Sequence, residues 1–323
     1  MELKKSHRPV VSVIVLSYNR PSHLERALAS VLDQTYEHLE ITVVDNPSPA
    51  SAEVARITGQ YKRVKLIRNQ RNLGYAGGMN RGIAQATGDY LHLTEDDIIL
   101  ERDCIRQLLE YMDQHPSVHL VAPIIYNQTE QTIRCAGGDF ILGGIYQKKI
   151  LGAGERDAGQ FKEPYQVGYI DGATMFARRD FWTYFKGFRE EFFMYVDAVE
   201  LCARVIESGR RMAIVPRAKV YHVEPSPGAV SPEIQFHKIK NFFSLYLLHA
   251  PARVLPEFIC RYAIWNILRT VLRSRELSGP TLRALLWVLK RTPALLMERR
   301  RGRSRQLDQE MDAEAGKHLL SSV

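Results

Sequence analysis

The chain has little cysteine and no long apolar run, and both shortages narrow what it can be. Its four cysteines, Cys104, Cys135, Cys202 and Cys260, are scattered with no close pair and no ligand-like spacing. That argues against a disulfide framework or a zinc site and for a reducing, cytoplasmic setting. No uncharged apolar stretch is long enough to span a bilayer. The opening "MELKKSHRPVVSVIVLSYNRP" sets basic residues before an apolar run, as a signal peptide does. The run is short, lacks a small-residue cleavage site and leads into a polar turn, so it reads as a first buried strand. The sequence also has no internal repeat and no low-complexity segment. It lacks both usual glycine cradles for a diphosphate, having neither a Walker lysine loop nor a strand-linked G-x-G-x-x-G. "GYAGGMNRG" (residues 74–82) spaces its glycines wrongly for either and reads as a flexible turn into a helix.

What is present is enough for one large domain or two: 323 residues, 45% hydrophobic and 25% charged. The net charge of +8 is uneven. Residues 253–305 hold 13 Lys/Arg against 3 Asp/Glu, a balance of +10, which leaves 8 − 10 = −2 for the rest. Basic character therefore belongs to the C-terminal region.

The first half alternates strand and helix patterns. "VVSVIVLS" (10–17) is a continuous β-branched run. Pro21 then starts a helix with apolar spacing at Leu24, Ala27, Leu28, Val31 and Leu32. "EITVVD" (40–45), "VKLIRN" (64–69), "YLHL" (90–93) and "VHLVAPIIY" (118–126) read as further buried strands, with Ser51 as a helix cap and a helix over 101–114. Near-continuous apolar strands alternating with helices predict a parallel sheet covered on both faces. Ligands bind such sheets beyond the carboxyl ends of the strands. Ser17, Tyr18, Asp45, Asn69 and the acids of "YLHLTEDDIIL" (90–100) all fall at those ends and should share one crevice.

Glu95, Asp96 and Asp97 repel one another unless something positive sits among them. On these residues alone a solvated turn and a metal site are equally good readings. With no glycine cradle in the crevice, a divalent cation held by carboxylates is the natural substitute. Further on, "DAVELCARVIESG" (197–209) is an amphipathic helix opening on Asp197, with Asp197, Glu200 and Arg204 on one face. A plain helix cap explains Asp197 and a surface ion pair explains Glu200 with Arg204. "KVYHVEPSPG" (219–228) puts His222 at a strand end before a Pro/Gly loop, where a lone histidine is most often structural.

Together these segments resemble the inverting family 2 glycosyltransferases of the GT-A fold, close to the bacterial rhamnosyl- and galactofuranosyltransferases. The resemblance runs from residue 10 to about 241. It rests on the order of "VSVIVLSYNR", "SVLDQTYEHLEITVVDNPSP", "RNLGYAGGMNRGIAQATGDYLHLTEDDI", "DGATMFARRDFW", "GFREEFFMYVDAVELCAR" and "VYHVEPSPG". It implies a Rossmann-like, mainly parallel sheet with helices on both faces, followed by a C-terminal helical region. Ser17, Tyr18, Asn19, Asp45 and Asn72 would hold a nucleotide-sugar, and Asp96 would touch its ribose or sugar. Glu95 and Asp97 would be the outer acids of the metal motif for Mn2+ or Mg2+, with His222 a further ligand. The family keeps an acidic pair where this chain has Asp197–Ala198, and the general base is the second member, here an alanine. Asp197 is then the first choice of base, because a helix start favours its ionised form, and Glu200 the second.

The expected reaction is transfer of a sugar from a nucleoside diphosphate to a hydroxyl of a glycan or lipid-linked acceptor. One rival is a catalytically silent relative, suggested by Ala198. Another is a sugar nucleotidyltransferase, whose glycine- and arginine-rich N-terminal loop is missing here. The C-terminal segments 250–275 and 280–305 alternate apolar groups with arginines. They fit helices packed on the domain, or helices lying on an anionic membrane with Trp265, Trp287 and the arginines of 299–305 at its surface. No aromatic–basic platform points to nucleic acid. The expected division is a catalytic domain over 1–240, a basic helical region over 241–305 and a polar tail over 306–323.

Overall fold

The computed structural model describes residues 8–129, 132–143, 146–223, 231–264 and 275–320, and in the last helix the side chains of 278–301. The chain forms two compact units, Met1–Phe140 with Lys148–Gly228, and Ile141–Gln147 with Ala229–Val323.

The first unit is built on β1 (Val11–Ser17), β2 (Leu39–Asp45), β3 (Val64–Arg68) and β4 (Tyr90–Glu95). Every residue of β1 is buried, as a strand covered on both faces requires. The parallel register sets Ser17 beside Asp45 and Leu16 beside Glu95, so the polar strand ends lie level. Helices α1 (Pro21–Leu32), α2 (Ser51–Gly59), α3 (Gly74–Ile83) and α4 (Cys104–Gln114) connect or follow these strands. α1 buries Leu24, Ala27, Leu28 and Val31, the face its spacing predicts. Burying each such leucine or valine contributes about 1.5–3 kcal/mol. Ser51 is the first residue of α2 and not its cap.

The expected run of parallel strands breaks after β4. β5 (Ile98–Leu100) follows at once and pairs with β12 (Arg211–His222). β6 (Val118–Asn127) does not join β4; β11 (Thr174–Arg178) lies between them, antiparallel to both. With β10 (Tyr165–Val167) at one edge, the order is β10-β12-β6-β11-β4-β1-β2-β3. β7 (Ile133–Cys135) pairs with β6, and β8 (Gly138–Leu142) and β9 (Tyr146–Ile150) form a separate ribbon. α5 (Arg179–Phe185) and α6 (Asp197–Glu207) complete this unit. Among the described residues the glycines of 74–82 are not a flexible turn, because they lie within α3. A Cβ on Gly82 would stand 2.3 Å from Ile14 Cγ2, and one on Gly78 2.5 Å from Leu16 Cδ1. Glycine there lets α3 lie directly on β1.

In the second unit α7 (Pro232–His249) packs on the long helix here called α9 (Arg275–Leu320), with α8 (Leu255–Phe258) between them in sequence. α7 buries Ile239, Phe243, Tyr246 and Leu247, and α9 buries Ala284, Val288 and Leu295. The expected boundary at 240 is corrected: it falls inside α7, whose apolar residues on both sides of that point belong to one packed helix. Residues 306–320, expected as a polar tail, continue α9 as helix. Trp287 does not face outward as expected of an interfacial aromatic. Lys240 Nζ lies 5.0 Å from its ring centre, which turns it toward α7. Arg299 is buried and donates to the Leu247 and Ala250 carbonyls, closing the C-terminal end of α7. Trp265 and the Pro/Gly loop after Val223 lie outside the described residues. No described helix is long and apolar enough to cross a membrane.

Candidate metal and donor site

The level strand ends bring the polar residues of the first unit to one end of the sheet. β4 ends on Glu95, the chain turns through Asp96 and Asp97, and β5 returns along β12. His222 ends β12 opposite Ile98, and the Val223 N–H donates to the Asp97 carbonyl at 2.8 Å. This pairing across the sheet carries His222 to the acids, 125 residues further along the chain than Asp97. Ligand atoms of Glu95, Asp97 and His222 all lie within 4.8 Å of one another.

The three side chains fit a divalent cation by their chemistry and by what they leave unsatisfied. Two carboxylates and an imidazole are a hard, anionic donor set suited to Mn2+ or Mg2+. Asp97 Oδ1 and His222 Nδ1 are buried and make no hydrogen bond. Burial, with Asp97 and Asp171 near by, pushes the Glu95 carboxyl well above its usual range. At Asp97 burial acts upward too, but His222 and Arg20 outweigh it and hold the carboxyl below its usual range. His222 Nε2 lies 3.3 Å from Asp97 Oδ2, and the Arg20 guanidinium pairs with the same oxygen. Some of the positive charge the cluster needs is therefore supplied by Arg20, from the loop after β1.

Asp96 points elsewhere. It accepts from the Tyr18 N–H at 3.0 Å and so fastens the turn that follows β1. Burial first, and then Asp97, push its carboxyl up to about 7. Tyr18 is exposed, and Asn19 takes a left-handed conformation (φ 58°), one that Asn tolerates. Asp45 is fully buried, 3.3 Å from Arg68 Nε, and burial raises its pKa. Asn72 accepts from the Gly74 N–H at 2.8 Å, which makes it a turn anchor at the start of α3.

Asn46, one residue beyond β2, escaped the sequence reading and is the hub of this end of the sheet. Its Nδ2 donates to the Gly74 carbonyl, and its Oδ1 accepts from Asn69 Nδ2 and the Leu73 N–H. An Asn just past a strand end in a parallel sheet was the available signal. Asp171 was missed as well. It adds negative charge around Glu95 and Asp197 while accepting from the Ala173 N–H at 3.0 Å.

Asp197 opens α6 as expected, after an unusual stretch of backbone. Phe193, Tyr195 and Val196 all have positive φ, between 63° and 66°. A β-branched valine in that region is a genuine outlier, and each such residue costs about 1–3 kcal/mol. Glycine at position 74 makes room for the bend: a Cβ there would lie 2.3 Å from the Phe193 carbonyl oxygen. The strained stretch delivers Asp197 into a buried position. Its Oδ1 accepts from the Ala198 N–H at 2.8 Å, while its Oδ2 is buried and makes no hydrogen bond. The helix start was expected to favour the ionised form, but burial dominates and pushes the carboxyl up to about 7.

Glu200 is fully buried and committed. Arg204 grips its Oε2 at 2.9 and 3.0 Å while donating to the Phe185 and Gly187 carbonyls. Arg189 Nε lies 4.0 Å from its other oxygen. Ala198 packs against Gly172, whose carbonyl accepts from the Tyr75 hydroxyl at 2.5 Å.

A profile of the Glycosyl transferase family 2 matches residues 12–185. The chain is 26% identical over 234 residues to the N-acetylglucosaminyl-diphospho-decaprenol L-rhamnosyltransferase of Mycobacterium tuberculosis (strain CDC 1551 / Oshkosh), covering 66% of this chain and 76% of that one. It is 28% identical over 145 residues to an uncharacterized glycosyltransferase of Haemophilus influenzae, covering 44% of this chain and 45% of that one. Among solved structures, GalNAc-T7 with UDP, GalNAc and Mn2+ superposes with a TM-score of 0.61 at 17% identity, over 76% of this chain and 48% of that one. The mannosyltransferase PcManGT from Pyrobaculum calidifontis, with GDP-Man and Mn2+, gives 0.54 at 15% identity over 95% and 88%. The chain thus spans about half the length of the Haemophilus relative and of GalNAc-T7. The fold shared with these structures is the GT-A arrangement.

Proposed function

The chain belongs to glycosyl transferase family 2, and from that premise we propose that it moves a sugar, with inversion, from a nucleoside diphosphate to a hydroxyl. The acceptor is a glycan or a lipid-linked sugar. The observation that carries this proposal is the convergence of Glu95, Asp97 and His222 at the carboxyl end of the sheet. A divalent cation held there stabilises the negative charge that builds on a departing diphosphate. Mn2+ accompanies UDP in one structural neighbour and GDP-Man in the other, which supports a divalent ion here.

The chain's own residues supply the rest. Ser17, Tyr18, Asn19, Asp45 and Asn72 border the donor pocket, and Asp96 and Asn46 keep its walls in place through the contacts described above. Asp197, with one carboxylate oxygen fixed and the other without a hydrogen bond, takes the proton of the attacking hydroxyl. Glu200, our second choice from sequence, serves instead to hold Arg204 and the 185–187 turn. The acceptor named in the mycobacterial relative is lipid-linked. We accordingly place this chain in the cytoplasm, in peripheral contact with the inner, anionic face of a membrane.

A silent relative that binds donor without turnover has one observation in its favour, the alanine at position 198 beside a committed Glu200. A panel of nucleoside-diphosphate sugars, read by thermal shift with and without Mn2+, tests the donor half of the proposal. The matching donor raises the unfolding midpoint by several degrees in Mn2+ and far less without it. A panel in which no donor shifts the midpoint in Mn2+ overturns both the transferase and the silent-relative readings.

A further inference from the structure

We propose that the outward face of α9 is a docking surface for anionic lipid. This deepens the membrane placement above and rests on it, naming the surface that makes contact. Leu282, Leu286, Leu289 and Met297 are 59%, 57%, 70% and 55% exposed. At 100° per residue they fall within an arc of about 80°, a single stripe along the helix. Pro293 lies within that arc and is also exposed. The opposite side of the same helix buries Thr281, Ala284, Val288, Leu295 and Arg299, so the stripe is not the face that packs on α7.

Charge identifies the occupant. Arg283, Lys290 and Arg301 recur at seven and eleven residues, within about 20° of one another along one border of the stripe. Arg283 is paired with Glu233 at 2.8 Å and lies over the Phe236 ring, so Lys290 and Arg301 carry the charge of that border. Arg300 continues the line of the leucines. The only acid between residues 278 and 301 is Glu298. An apolar stripe with a cationic border and almost no acid matches an acyl boundary lined with anionic headgroups. Two copies meeting through the same face would bring their cationic borders together, which disfavours a second chain as the occupant. No described helix is apolar enough to span a bilayer, so α9 would lie in the plane of the surface.

Cosedimentation of the full chain with vesicles of phosphatidylcholine, with and without phosphatidylglycerol, tests the surface. Binding is expected to require phosphatidylglycerol and to weaken as salt rises. The double variant Leu286→Glu/Leu289→Glu should lower the partition coefficient at least about tenfold, with the melting midpoint and the donor-induced shift unchanged. The charge variant Lys290→Glu/Arg301→Glu should lower it as well, and it decides the matter if the leucine variant loses its native melting transition. Wild-type protein that ignores phosphatidylglycerol, or a folded variant that binds as wild type does, overturns the surface. So does a lipid-free dimer that the leucine variant splits, which would assign the face to a second copy. A donor shift retained alongside failed vesicle binding removes the docking surface alone, and vesicle binding without any donor shift removes the transferase alone.

Discussion

Asp97→Ala is expected to weaken Mn2+-dependent donor binding by one to two orders of magnitude or more, with the fold intact. Asp97 is the member of the cluster with most to offer a cation. One of its oxygens meets His222 and Arg20, and the other is buried with no hydrogen bond. Its ionised form is favoured by those two neighbours, whereas burial and Asp97 itself push Glu95 toward the neutral form. Removing Asp97 relieves its repulsion of Glu95 but breaks its pairing with Arg20 and His222, so the melting midpoint should fall somewhat while the fold survives. Isothermal titration of donor into wild type and variant, in Mn2+ and then in EDTA, reads this directly. Donor affinity that survives both the substitution and the chelator would show that the cluster is structural.

Asp197→Asn is expected to lower kcat by roughly two orders of magnitude or more, the size of a lost general base, while donor affinity hardly changes. Asparagine is nearly isosteric and keeps an oxygen for the Ala198 N–H, so the start of α6 should survive. The pH profile separates a proton acceptor from a structural acid. Burial raises the Asp197 carboxyl to about 7, so wild-type kcat should fall as pH drops through that region and the carboxyl takes up a proton. In Asp197→Asn that acid limb disappears. Glu200→Gln should act mainly on stability, because it breaks the buried pair with Arg204. A variant at 197 that turns over normally beside a stable, dead Glu200→Gln would reverse the two roles.

Much of this site is visible in the sequence because it depends on strand ends. Apolar runs mark where β1, β2 and β4 lie, and parallel pairing then brings Ser17, Asp45 and Glu95 level without any knowledge of side chains. His222 could be placed at a strand end, but its approach to Asp97 depends on β5 pairing with β12, a long-range contact that three residues after an acid cluster do not announce. Asn46 was hidden in a turn-like "NPSP" context, where Asn has an ordinary explanation. The left-handed Phe193, Tyr195 and Val196 were illegible for a stronger reason: none is a residue type that favours positive φ, so only the surrounding structure imposes it. The boundary at 240 failed because composition changes gradually along α7 while packing does not. The basic C-terminal segment invited two readings, packing or membrane. α9 packs on α7 through the face that turns Arg299 inward and leaves Leu289 exposed on the other.

The release of nucleoside diphosphate by the purified wild-type chain, given the donor that shifts its melting point and a suitable acceptor, bears most directly on the central claim. Product should accumulate in Mn2+, stop when EDTA is added and resume when excess Mn2+ is restored. Release that continues undiminished in EDTA would contradict a metal-dependent transfer at Glu95, Asp97 and His222.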